Sequence, residues 1–334
     1  MRWPLAVVAL LITGLLPEGV QGANLSQDLQ AIIDSAPPGQ TLIIGGGYYT
    51  GPIVIYKPLA LVGRGWPIID GQGRGSVVTI TADGASISGF VLKGSSFSPS
   101  LEPAAVKVEG AKGVSIVENR IVNSFVGVYL IDADYAEVRA NQLDLAPHLP
   151  VLRRGHGVYA WETSGATLVE NDIRHTADGF YLDHSPDNVI ARNSVRSGRY
   201  GVHLMYSGDV ELIENQLAQD MAGVVAMFSH RLLMVGNRIT NNRGATGVGI
   251  LLKDVDYMYA EANYIEENVF GFVGENSPQS AGASVLLRRN LFAGNDVGMA
   301  LMPNAPVTLT ENTFWDNGQH LQGIGPSIMM RLLG

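Results

Sequence analysis

An Asn followed by a pair of residues ending in an apolar one returns along this chain at a nearly constant interval. It occurs at Asn119, Asn141, Asn171, Asn193, Asn215, Asn237, Asn263, Asn290 and Asn312, with successive spacings of 22, 30, 22, 22, 22, 26, 27 and 22 residues. A second series lies eight residues after most of these: Gly127, Gly179, Gly201, Gly223, Gly271 and Gly298, with Gly157 and Gly249 displaced. Between the markers apolar residues alternate, as in Val128 and Leu130 or Val202 and Leu204. Alternation is the signature of short strands, and a repeat of about 22 residues is too short for a helix pair. One such coil cannot bury its own apolar face, whereas stacked coils share a continuous core. The pattern predicts an all-β, single-stranded, right-handed parallel β-helix.

Within that fold each recurring Asn has a physical task. At the same corner of every coil its side-chain amide can bond to the next coil, about 4.8 Å away, and so build an internal ladder. The recurrent Gly is expected to supply either a positive φ or a close approach of backbones. The long spacings locate insertions between Asn141 and Gly157, within Asn241–Thr246, and around Ser277–Ala283. Solenoids carry such insertions on one face, often a binding face. Ser26–Ala36 reads as an amphipathic helix stopped by Pro37-Pro38-Gly39 that caps the first coil. Strands are expected at Thr41–Ile44, Ile53–Ile55, Leu59–Val62, Val77–Ile80 and Ile87–Leu92. The resulting division is a cap over 23–40, a β-helix over 41–320, and a terminal tail or cap over 321–334, where the apolar Ile328–Leu333 covers the last coil or meets a partner.

The first 22 residues read as a secretory signal. Arg2 precedes an apolar run from Leu5 to Leu16, and Val20-Gln21-Gly22 places small residues at −3 and −1 of a cleavage site. Export with cleavage after Gly22 is expected, and no later stretch is apolar for long enough to span a bilayer. The absence of Cys excludes a disulfide scaffold and thiolate metal sites. A formal charge of −9 without a basic stripe argues against nucleic acid as a partner.

Two groups of residues carry possible chemistry. Asp178, Asp183, His184 and Asp187, with His175 nearby, are the best acid–base cluster, and centre an alternative reading as a polyuronate lyase or epimerase. Ser-Pro-Asp-Asn is ordinary turn chemistry, however, and no basic groove accompanies it for a polyanionic sugar. The second group follows from register. Counting from the corner Gly, residues +1 and +3 point inward, so +2 and +4 point outward. Position +2 runs Tyr129, Tyr159, Tyr181, His203, Val225, Leu251, and position +4 includes Asp183, Met205, Met227 and Lys253. Neighbouring coils then bring His203, Asp183, Met205 and Met227 together, with His184 and His230 at the end of the same ladder. Thioether and imidazole donors suit Cu(I), whereas Ca²⁺ or Mg²⁺ would want oxygen. The plainer reading is an apolar and aromatic ledge covered by a loop or a partner, since Met also adapts to contact surfaces; the two readings are compatible.

Arg199-Tyr200-Gly201-Val202-His203-Leu204-Met205-Tyr206-Ser207, then Ala226-Met227-Phe228-Ser229-His230-Arg231, then Gly249-Ile250-Leu251-Leu252-Lys253-Asp254-Val255 resemble the NosD family of periplasmic β-helical proteins. The opening, Leu29-Gln30-Ala31-Ile32-Ile33 with Pro37-Pro38-Gly39 and Leu59 through Gly71, resembles it less specifically. The resemblance implies a periplasmic, non-catalytic accessory of an ABC transporter. Its partners would be the transporter's membrane subunit, a copper chaperone and nitrous oxide reductase, whose copper–sulfur centre it helps to assemble. It implies transient copper, as Cu(I), at a site for which His203, Met205 and Met227, with Asp183 and His230, are the expected residues. A segment beyond the last coils would dock on the membrane subunit, a role that here falls to Ile328–Leu333.

Overall fold

The computed structural model describes residues 28–244, 247–302 and 306–323. The chain winds as a parallel β-solenoid in which each coil adds one strand to each of three sheets, and every sheet runs through twelve strands. All pairings are parallel between successive coils, for example Ile173 with Val195 and Val195 with Leu217. The interior is a single apolar column from Leu29 to Met299. The expected signal segment and its cleavage site lie outside the described residues. No helix among the described residues is long and apolar enough to cross a membrane.

The asparagines stack as expected. Asn193 donates its backbone N–H and its Nδ2 to Oδ1 of Asn215, both at 3.0 Å, and Asn215 repeats both bonds to Asn237. Each Nδ2 also reaches a carbonyl of the preceding coil, as from Asn215 to Ile190 at 2.8 Å. The residue before each ladder Asn turns the corner in the left-handed region: Glu118, Ala140, Glu170, Arg192 and Glu214 have φ between +52 and +60°. That conformation costs on the order of 1–2 kcal/mol for a residue with a Cβ. The ladder's bonds offset the cost in every coil.

The recurrent glycines do something else. Gly127, Gly157, Gly179, Gly201, Gly223, Gly249, Gly271 and Gly298 do not have positive φ; a Cβ there would strike the next coil. At Gly249 it would sit 2.5 Å from the Gly271 carbonyl oxygen and 2.8 Å from Ile265. Backbone cannot yield as a side-chain tip can, so Gly249→Ala is expected to destabilise the protein by about 3 kcal/mol in urea unfolding. An unchanged midpoint would show that the coils can separate freely.

Several boundaries differ from expectation. The helix is Leu29–Ser35, capped by the Asp28 side chain on Ala31 N–H. It buries Leu29 and Ile33, and its Gln30 closes the first edge by bonding both the N–H and the carbonyl of Val54. The expected strand Ile87–Leu92 is two strands, Ser86–Ser88 and Val91–Lys93, because Gly89 turns the chain at φ +78°. The first insertion holds a short 3₁₀ turn, Val151–Arg153. The stack runs past residue 320, its last strand being Gln319–Gly323. There Leu309 and Leu321, register partners of buried Leu287 and Met299, are 37% and 53% exposed. The Ile328–Leu333 segment assigned to that end lies outside the described residues.

Candidate functional site

The glycine row of the third sheet organises the site. In strands such as Val126–Ile131 the residues on either side of the Gly127-Val128 pair, at −1 and +2, belong to one buried cluster separate from the interior column. They form two separate buried clusters. One holds Val126, Tyr129 and Tyr159, and the other holds Ala222, Val225, Val248, Leu251, Val273 and Ala300. At these positions the +2 row is a filled trough rather than an open ledge, which corrects the outward placement of Tyr129, Tyr159, Val225 and Leu251, while Tyr181 and His203 of the same row are half-buried.

Between the two apolar stretches the trough turns polar. Tyr129, Tyr159, Tyr181 and His203 stack in line at centroid separations of 4.4, 4.8 and 4.7 Å. In the −1 row, His156 and Asp178 take the place of apolar residues. Asp178 is fully buried. It accepts two bonds from Arg199, at 2.8 and 2.6 Å, and one from His203 Nδ1 at 3.0 Å. Burial alone would raise its pKa, but the hydrogen bonds from His203 and Arg199 hold the carboxyl well below the usual carboxylate range. Burial pushes the pKa of His156 down to about 4 despite Asp178 nearby, so this imidazole is neutral. Burial also pushes Tyr129 up to about 12.

Because an ionised carboxylate only accepts, His203 donates from Nδ1, and in the neutral tautomer with that proton the lone pair is on Nε2. Nε2 is buried and has no hydrogen-bond partner. Two residues further along each strand is the +4 row, where Asp183, Met205 and Met227 are direct register neighbours on successive coils. Asp183 is held by His184 Nδ1 at 2.8 Å and by the Tyr181 hydroxyl at 3.4 Å. Both methionines are half-buried.

The sequence expectations divide at this point. His203, Met205, Met227 and Asp183 share one outward face, with His203 turned toward Asp178. His230 does not join them. It begins the strand His230–Val235 beyond the next corner, with its ring against Gly208, in a cleft lined by Phe228, Arg231, Asp254, Asp256 and Tyr257. The chain turns between Met227 and His230 at Phe228, whose φ is +51°.

Of the acid–base group only Asp183 and His184 stay together, at 2.8 Å. Asp178 and Asp183 stand at opposite ends of one six-residue strand, roughly 16 Å apart at the usual rise. His175 pairs with Asp144 at 2.6 Å, and Asp187 accepts from Ser164. Among the described residues no three His, Asp or Glu side chains are arranged to hold a metal by themselves. Sequence reasoning passed over His156 and Arg199 as site residues. The signal was available, since the residue before each corner glycine is apolar in most coils but reads His156, Asp178 and Tyr200 in three consecutive ones.

Comparison with known proteins agrees with the central motifs. A family model described as "Periplasmic copper-binding protein (NosD)" matches residues 146–327, more than half of the chain. A probable ABC transporter binding protein NosD from Pseudomonas aeruginosa is 29% identical over 137 residues, which cover 41% of this chain and 32% of that protein. Its counterpart from Stutzerimonas stutzeri is 28% identical over 134 residues, covering 40% and 31%. The chain thus spans about a third of the length of these curated relatives. Among solved structures, the A-module of the Azotobacter vinelandii mannuronan C-5 epimerase AlgE6 superposes with a TM-score of 0.73 at 15% identity, over 89% of this chain and 91% of that one. An exopolygalacturonase from Thermotoga maritima gives 0.65 at 11% identity, with 84% of each chain covered. At such identities the likeness shows the fold alone.

Proposed function

This chain belongs to the NosD family of periplasmic copper-binding proteins, and from that premise we propose that it receives Cu(I) transiently on the outward face of its third sheet. The donors are the thioethers of Met205 and Met227 and the Nε2 of His203, with the Asp183 carboxylate beside them. One observation carries the reading: a buried imidazole nitrogen without a partner, on a ring held by Asp178, which Arg199 holds in turn, lies two residues along the strand from Met205, whose register partner on the next coil is Met227. A carboxylate on the far nitrogen is what orients metal-binding histidines and raises their basicity. Thioether and neutral imidazole favour Cu(I) over harder cations. Copper here is cargo. The flexible methionines can admit it by rotation without moving the sheet.

In this reading the chain is an exported accessory of an ABC transporter, as the names of its relatives indicate for those proteins. It works with the membrane subunit, a copper chaperone and nitrous oxide reductase in building the copper–sulfur centre. Residues 1–22 are its export signal. His230, in its separate cleft, is not a ligand of this site.

The test is an anaerobic Cu(I) titration against a competing chelator. Met205→Ala with Met227→Ala is expected to weaken binding by at least about tenfold, since two of the three soft donors are lost. Equal affinity in the double variant and the parent would remove copper from this face.

A further inference from the structure

We propose that the stacked ladder His184–Tyr206–Phe228 is a docking ridge for a protein that exchanges Cu(I) with the adjacent methionine row, and that this partner presents an apolar centre within a basic rim. What is exchanged rests on the copper reading above. Where the partner sits rests on separate observations.

Three consecutive coils deliver the ridge and the metal row as dipeptides: Asp183-His184, Met205-Tyr206 and Met227-Phe228. The rings stack at 4.8 and 5.1 Å and stay in water, with Tyr206 49% and Phe228 38% exposed. All three residues hold the left-handed conformation, at φ +49, +48 and +51°. Bulky residues adopt it at a cost, and Asp or Asn would suit the turn better. The coils that follow use such residues there, Asp254 and Asn276 at φ +53 and +44°, and the coil that precedes has Glu162 at +49°. What sets this run apart from the isolated left-handed aromatics Trp66, Tyr135 and Tyr257 is that three rings on successive coils stack into one continuous exposed surface. Large, flat, fixed side chains are what dominate binding interfaces.

The ridge is also rigid. Beneath it a second ladder runs through the corner: Thr163 and Ser185 donate their N–H groups to the hydroxyls of Ser185 and Ser207 at 3.1 Å, and Ser207 to that of Ser229 at 3.2 Å. A pre-organised surface loses little entropy on binding.

Its rim is acidic. Glu162 and Asp254 continue the ridge's own corner row on the coils before and after it, and Asp183, Asp187 and Asp256 lie within a few residues of it along the chain or on the next coil. The nearby cations are already engaged, Arg231 by Asp209 and Lys253 by Glu275. Opposite charge around an apolar centre speeds encounter and fixes orientation.

The experiment follows Cu(I) transfer by stopped flow from a copper-loaded carrier protein whose metal face is ringed by lysines, and from the same carrier with those lysines succinylated. Tyr206→Asn with Phe228→Asn keeps the left-handed turn, because Asn tolerates it. The double variant is expected to slow transfer at least about tenfold while its equilibrium Cu(I) affinity against a small chelator stays that of the parent. Succinylation and added salt should slow the parent's transfer in the same way. Transfer at the parent's rate in the variant would overturn the ridge. So would a loss of chelator-measured affinity, which would assign these rings to the metal site itself. A parent chain that takes no Cu(I) from the chelator would overturn the copper reading, a result distinct from either.

Discussion

Replacing Asn215 by Ala is expected to destabilise the protein by about 4 kcal/mol, because buried polar groups left without partners cost ~1–3 kcal/mol each. Asn215 Oδ1 accepts both the backbone N–H and the Nδ2 of Asn193, while its Nδ2 serves the Ile190 carbonyl and Asn237 Oδ1. Alanine removes all four bonds and leaves the Asn193 amide and the Ile190 carbonyl facing an apolar interior. Water cannot easily compensate, since Asn193, Asn215 and Asn237 are at most 2% exposed. In a solenoid each coil is stabilised by its neighbours, so the loss should spread outward from this coil. Urea unfolding gives the total. Hydrogen exchange should show the Asn193 amide deprotected more than amides four coils away. A change below about 1 kcal/mol would mean that the ladder follows from the fold without holding it.

Asp220→Asn should do the reverse, and only above acidic pH. A further ladder runs through Asn242, Asn268, Asn295 and Asn317, in which each Asn after Asn242 takes its predecessor's N–H and amide nitrogen on Oδ1. Asp220 occupies the preceding rung. Its N–H reaches Asn242 Oδ1 at 3.0 Å and its Oδ1 accepts from Gly198 N–H at 2.6 Å, but its Oδ2 is buried without a partner. By the repeat, Oδ2 stands where an amide nitrogen would donate to Asn242 Oδ1, so two acceptors face each other. Burial, with the charge of Asp178 adding to it and the Gly198 N–H opposing it, pushes the pKa up to about 7.

The folded pKa lies above the unfolded value of about 3.9, so the protonated form is the one the fold favours. Its contribution is complete below pH ~4 and is lost as pH rises through about 7. The displacement corresponds to roughly 4 kcal/mol. Asn supplies the missing donor at every pH. The variant should therefore exceed the parent by several kcal/mol at pH 8, with the gap closing toward pH 4. Taking the difference between the two proteins removes the opposite acid sensitivity of Asp178 and His156, which both proteins share. A gap independent of pH would show that Asp220 is ionised in the fold.

Much of this was legible in the chain because a solenoid turns sequence spacing into contact. A residue's neighbours across the sheet are the residues one repeat away. The spacing of Asn171, Asn193 and Asn215 therefore gave the ladder, and counting from Gly179, Gly201 and Gly223 gave the adjacency of Asp183, Met205 and Met227. The same arithmetic failed for His230, because three residues after Met227 the chain has turned a corner onto another sheet. It failed also for Asp178 and Asp183, which are near in sequence but stand at the two ends of an extended strand.

The sequence by itself determined the architecture, the register and the residues that share a row, since these depend only on periodicity and on the 2-residue alternation of a strand. Only the tertiary structure decided what each row faces. The −1 and +2 rows pack into shared clusters that bury what alternation alone would leave in water. There Asp178, held by Arg199, bonds Nδ1 of His203 and leaves Nε2 without a hydrogen-bond partner. Such a choice is made by side-chain rotamers and local burial, which have no period to read.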